Sequence, residues 1–293
     1  MTERSNPWLA ATWMMGAVAS FSTMAVAGRE VAVELNTFEL MFYRSIIGFV
    51  LIVALCALSK RGLAQVRSAQ RANHWWRNVF HFTGQNLWFY AVTVIPLSQL
   101  VALEFMNPIF VAILAPIFLA ERFTQKRVIA AAMGFAGVLV VARPGLTPVE
   151  IGHVAALGAA FAFALNTLFT KHISRTDTVL CVLFWMTLSQ SVFGLVLALP
   201  GGIPWPSPQG WIWVGVVGLC GITAHLALTS ALSLAPAMVV APMEFARLPV
   251  ITLLGLWLYS ETLDPIILAG AAIIIAGNLI NILGERQRQI AQS

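Results

Sequence analysis

The sequence predicts an all-α membrane protein in which ten transmembrane helices form two inverted five-helix repeats. Three observations carry this. First, the 293 residues are 59% hydrophobic and only 10% charged, with a mean hydropathy of +0.84. A soluble domain carries roughly 25% charged residues, so too few remain here to cover a solvated surface. Second, the apolar residues gather in runs of about 20, the length a helix needs to cross the hydrocarbon core. Third, the two halves resemble each other at a nearly constant offset. The same composition excludes a disordered chain, a collagen and a disulfide-stapled secreted domain. The net charge is +5 and the pI about 9.6, yet the basic residues sit in short clusters between apolar runs. That scatter excludes a nucleic-acid partner, which needs a basic face.

The apolar runs fall near 8–27, 38–58, 75–94, 98–119, 126–142, 151–171, 178–199, 210–232, 238–259 and 264–283. Asn6-Pro7, Thr147-Pro148, Ser207-Pro208 and Asp264-Pro265 each place a capping side chain before a proline at the first helical position. Glu150 adds a capping box to Thr147. The first run is too long for a signal peptide and has no convincing cleavage site, so it is read as helix 1. With a cytoplasmic N-terminus, twelve lysines and arginines fall in inside segments, and only Arg29 and Arg143 fall outside. The positive-inside rule therefore predicts that both termini face the cytoplasm, in the inner (plasma) membrane.

An offset of 140 takes Pro96 to Pro236, Glu104 to Glu244, Phe105 to Phe245, Glu121 to Glu261 and Gly137 to Gly277. An offset of 142 takes Gly16 to Gly158, Phe21 to Phe163, Arg29 to Lys171 and Phe42 to Phe184. The units are 8–142 (helices 1–5) and 151–283 (helices 6–10). Five spans is an odd number, so the second unit enters the membrane the other way up. Many secondary transporters are built this way, with the site between the halves near the midplane. A channel or membrane enzyme can also arise by duplication.

Pro96, Pro108, Glu121, Arg122 and Thr124 precede an Ala/Gly-rich helix ending Gly-Phe-Ala-Gly-Val at 134–138. Pro236, Pro249, Ser260-Glu261-Thr262 and Ala276-Gly277 echo them, with Arg247 where the first half has Asn107. On these residues the chain resembles the drug/metabolite transporter superfamily, specifically its ten-helix exporters with two EamA domains. It is similar to the YddG-type amino-acid exporters. The resemblance implies export of small metabolites, with amino acids, including aromatic ones, as the leading substrate class. Other metabolites or drugs are the alternative.

Ionisable groups inside spans are costly and mark functional sites. Here they are Arg44, His81, Glu104, His225, Glu244 and Arg247. Asn78, His81, Gln85 and Trp88 share one face of helix 3, a stripe that must meet a partner helix or an aqueous cavity. The candidate substrate-binding set is Trp13, Ser20, His81, Gln85, Trp88, Glu104, Asn166, His225, Glu244 and Arg247. Within it Trp88 would cover an apolar side chain, and Arg247 or His81 would meet a carboxylate. Bonding between helices is the competing reading for the whole set. Arg44 and Glu104 are expected to pair or to share one vestibule, and Glu244 and Arg247 to pair as i, i+3 neighbours. Glu121 and Glu261 are expected to cap the helices that follow them. The prolines should bend helices 4 and 9 beside the cavity. The Ala/Gly-rich helices 5 and 10 suit close packing within a protomer or across a dimer.

Cys56, Cys181 and Cys220 each lie alone in apolar runs, so no metal or redox pair is expected. No Walker, H-E-x-x-H, G-x-S-x-G or G-x-G-x-x-G motif occurs. No catalytic residue and no cofactor are therefore expected. The expected partners are a small-molecule substrate and the lipid bilayer, with a monomer sufficient and a dimer possible.

Overall fold

The computed structural model describes residues 6–119, 125–143, 150–234 and 240–292. Among these, all regular structure is helical. The first half contains α1 (Pro7–Val31), α2 (Thr37–Leu58), α3 (Arg71–Val94), α4 (Leu97–Glu104), α5 (Asn107–Leu119) and α6 (Gln125–Ala142). The second contains α7 (Ile151–Ile173), α8 (Val179–Ala198), α9 (Pro208–Leu234), α10 (Arg247–Tyr259) and α11 (Pro265–Gln292). A 3₁₀ turn, Ala241–Ala246, leads into α10.

Most of the expected caps form. The Asn6 side chain accepts from Leu9 N–H at 3.1 Å, with Pro7 at the first helical position. The Ser207 hydroxyl accepts from Gly210 N–H at 3.0 Å, and Asp264 accepts from Ile266 N–H at 2.9 Å. Asn36 and Glu39 make a reciprocal capping box at the start of α2. At α7 the expected box involves Thr147, which lies outside the described residues. Glu150 is itself the residue before the helix, and its N–H donates to His153 Nδ1 at 3.2 Å. Glu121, Arg122, Thr124, Thr147, Pro148 and Pro236 lie outside the described residues.

Eight of these helical stretches are long and apolar enough to cross a membrane. The other two expected spans are not among these eight. Helix α3 has 24 residues but carries Arg71, His74, Arg77, Asn78, His81 and Gln85. The stretch 238–259 is interrupted, leaving α10 with 13 residues. The corresponding first-half span is also broken, because Phe105 and Met106 leave the helix between α4 and α5. The resumed helices start at Asn107 and Arg247, which are 140 residues apart. Pro108 and Pro249 therefore fall in first turns, where a missing N–H costs nothing, and not in mid-helix bends. The Phe105 carbonyl, freed by the first break, accepts from Asn278 Nδ2 at 2.8 Å.

The most extensive packings join the first half to the second: α1 on α9, α3 on α7, α2 on α8 and α6 on α11. Exchanging each helix for its counterpart in the other half returns the same set. At one end of the bundle Arg29 fastens the halves. It donates to the Val92 and Ile95 carbonyls at 2.7 Å each and pairs with Glu261 at 2.6 Å. Its guanidinium also lies 4.6 Å from the Tyr259 ring centroid. Glu261, expected to cap the helix after it, instead serves the first half. Its two oxygens accept from Leu97 N–H at 3.1 and 3.0 Å, capping α4 of the first half.

The α6–α11 crossing is built on glycine and lies inside the protomer. A Cβ at Gly137 would sit 2.5 Å from Ile274 Cγ1 and 2.7 Å from the Gly270 carbonyl oxygen. A backbone oxygen cannot rotate away, so Gly137→Ala is expected to cost about 1–3 kcal/mol. Thermal melting in detergent checks this against Gly215→Ala, where nothing lies within 4 Å of an added Cβ. Gly215→Ala should melt no lower than the parent. If Gly137→Ala matches it, the close crossing does not constrain the fold.

Candidate functional site

One face of α3 carries a continuous column of buried polar groups. From His74 to Trp88 it rises about 21 Å at 1.5 Å per residue, most of the way across a hydrocarbon core of about 30 Å. His74, Arg77, Asn78, His81, Gln85 and Trp88 are all buried. The helix tolerates them because each meets a polar partner, His74 in the connection between α7 and α8 and the others on neighbouring helices, as an apolar solvent requires.

At the Lys/Arg-rich end, His74 Nε2 meets Asp177 Oδ2 at 2.8 Å. Burial raises the Asp177 carboxyl's pKa, but hydrogen bonds from Ser68, His74 and Thr176 outweigh it and hold the carboxyl below the usual aspartate range. Asp177 also lines a surface cavity of about 390 Å³ with Arg61, Gln65 and Arg67. Cys181 Sγ sits close by, so His74, Asp177 and Cys181 place donor atoms within 4.8 Å of one another. The His74–Asp177 hydrogen bond and the Cys181 thiol's contact with Asp177 Oδ2 hold that cluster together.

Further along, Arg77 donates to Thr170 Oγ1 and to Asn78 Oδ1 at 3.1 Å each. Asn78 Nδ2 donates to the Trp185 carbonyl at 2.9 Å and to Ser189 Oγ at 3.0 Å. Gln190 Nε2 donates to His81 Nδ1. The His81 and His225 rings lie 5.9 Å apart, and Phe21 meets His225 edge-on at 5.9 Å. Arg44 then donates to Gln85 Oε1. Trp88 Nε1 donates to Glu104 Oε2 at 2.8 Å, and that oxygen also pairs with Arg247 Nη2 at 2.6 Å. The column thus ends at the two broken helices.

This geometry revises two expected pairings. Arg44 and Glu104, expected to pair or to share one vestibule, do not pair, and each instead bonds the α3 face: Arg44 meets Gln85, and Glu104 meets Trp88 and also Arg247. Arg247 pairs with Glu104 and not with Glu244, because α4 packs against α10 across the break. Helix dipoles add a reason. Glu104 closes α4 and Arg247 opens α10, so each charge stands at the dipole end that disfavours it and gains by meeting the other. Trp88 is 3% exposed, and its indole N–H donates to Glu104.

The structure brings His81, Gln85, Trp88, Glu104, His225 and Arg247 of the predicted set together on this column. Glu244 lies in the 3₁₀ turn, near enough for its charge to act on Arg247. Ser20 bonds Thr223 at 3.1 Å between α1 and α9. Asn166 keeps a buried Oδ1 without a partner among the described residues. Trp13 is 42% exposed on α1. Sequence reasoning missed His74, Arg77 and Gln190. Extending the α3 stripe by one turn would have found the first two. Gln190 is an isolated amide in an apolar run and gave no periodic signal.

The ion pair is buried, with side chains 16% and 3% exposed, and Arg247 Nε has no acceptor among the described residues. Glu104→Ala is therefore expected to strand a buried cation at a cost of about 3–5 kcal/mol. Glu104→Leu combined with Arg247→Met should recover most of that loss. Melting temperatures in detergent check both. A single variant as stable as the parent would show that the pair carries little weight.

Comparison with known proteins agrees with this architecture. The model of the EamA-like transporter family matches residues 8–143 and again 150–283. The chain is 28% identical over 285 residues to a riboflavin transporter of Vibrio cholerae, covering 94% of this chain and 93% of that one. It is 26% identical over 277 residues to an S-adenosylmethionine uptake transporter of Rickettsia felis, covering 94% and 92%. A solved crystal structure superposes with a TM-score of 0.64 at 19% identity, covering 95% of this chain and 98% of that one, a likeness of fold alone. These relatives are named for riboflavin and S-adenosylmethionine, so the narrower likeness to YddG-type amino-acid exporters is not supported. The chain is a multi-pass membrane protein and belongs to the EamA-like transporter family.

Proposed function

We propose that this chain moves a small polar metabolite across the bacterial plasma membrane through the α3 column, by alternating access between two inverted five-helix halves. The observation that carries this is the column itself. A row of buried polar and charged side chains about 21 Å long, inside an apolar bundle, is costly to keep, and intramembrane groups of this kind mark substrate paths and sites. The exchange symmetry of the helix packing supports the rest. So do two broken helices that resume at equivalent residues, the arrangement in which half-helix ends meet at a transporter's site. Both termini lie in the cytoplasm on this reading, and one protomer suffices because the column lies within a single chain.

Riboflavin and S-adenosylmethionine are the first substrates to test, because the relatives' names give them. Aromatic amino acids stay in the panel from the family resemblance. A ligand biases the two access states only by its differential affinity for them, so net direction follows from the gradients imposed.

With the purified chain in liposomes, at least one panel member is expected to cross faster than the empty-liposome leak. His81→Ala and Gln85→Ala should fold and lose transport by about tenfold or more, since each removes a partner from a buried network. Leak rates for every compound would reject the transporter reading. Full rates in both variants would reject the column as the path.

A further inference from the structure

We infer that Arg44 is the receptor for an anionic group, a carboxylate or phosphate, on the transported molecule. This rests on the transport reading above and narrows its substrate. Arg44 is 6% exposed, in the interior of α2. It spends one N–H on Gln85 Oε1, a neutral acceptor, and its guanidinium lies 5.6 Å from the Phe89 ring centroid. Among the described residues no carboxylate reaches it. Glu39, one turn before it on α2, accepts from Asn36 N–H at 2.8 Å. Helix α8 offers Gln190, and α3 offers His81, Gln85 and a second guanidinium, Arg77. Helix α9 offers His225 and the bare backbone of Gly221, where a Cβ would come within 3.0 Å of Arg44 Nη2.

The contrast with Arg247 decides the assignment. Both guanidiniums are buried, but Arg247 has Glu104 at 2.6 Å, whereas Arg44 faces only neutral groups and another cation. Arg77 is likewise without a carboxylate, but two of its N–H groups are already engaged, by Thr170 and Asn78. A buried cation with no counter-charge is expensive. An arginine fork matches the geometry of carboxylate and phosphate. Arg44 therefore has the free donors, the unbalanced charge and the position beside Gln85 in the column. Arg247, expected from the sequence to take this role, is neutralised within the protein.

Two ligand pairs differ by one anionic group: S-adenosylmethionine and its decarboxylated form, and flavin mononucleotide and riboflavin. Binding of all four to the full-length chain in detergent is read by thermal stabilisation, and transport by liposome flux. In at least one pair the anionic member should bind about tenfold or more tightly, and Arg44→Gln should abolish that preference while the other member still binds. Gln85→Glu gives an independent test: a protein carboxylate beside Arg44 should raise the melting temperature and remove the preference. The inference is overturned if neither pair shows the preference, if none of the four binds, or if Arg44→Gln and Gln85→Glu leave the preference intact. Flux of all four compounds without preference would overturn it while sparing the transporter reading. Preferential binding without flux would do the reverse.

Discussion

The low dielectric of the bilayer is the constraint on which the rest of this structure depends, and the Glu104–Arg247 pair is where it acts most sharply. Two helices stop inside the bundle, and each break frees backbone groups that hydrocarbon cannot solvate. The chain answers locally. Asn278 takes the Phe105 carbonyl. Pro108 and Pro249 stand in first turns, where no N–H is needed. The two charges flanking the breaks neutralise each other at 2.6 Å. The halves must then pack so that α4 meets α10, which brings α3 and its polar face against them.

Much of this was legible in the sequence. The apolar runs located the helices because hydrocarbon thickness fixes their length. The 140-residue offset located equivalent positions because duplicated units keep their turns and breaks. The stripe of Asn78, His81, Gln85 and Trp88 was visible because a helix repeats its face every three to four residues. What stayed hidden was partnership. Sequence spacing favoured Glu244 for Arg247, since i, i+3 residues adjoin on a regular helix. The actual partner lies in the other repeat, and no local rule reaches across 143 residues. The breaks were hidden too. Prolines signalled trouble near 108 and 249, but the same residues suit a bend or a helix start, and only tertiary packing separates the two.

The column also shows why α3 fails a simple hydropathy criterion while still belonging to the bundle. Hydropathy scores side chains as though each met lipid. On α3 the polar ones meet Thr170, Ser189, Gln190, Arg44 and Glu104, so the penalty that the score assigns is offset by bonds it cannot see. In this protein the helix richest in buried polar groups is the one that looks least like a span.

Glu261 belongs to the second repeat, yet it neutralises an arginine of the first and caps a helix of the first. A carboxylate serving the other copy removes the self-sufficiency of the ancestral unit. A first half on its own would leave Arg29 without this carboxylate and the start of α4 without this cap, so the fold of one repeat is completed by a side chain of the other.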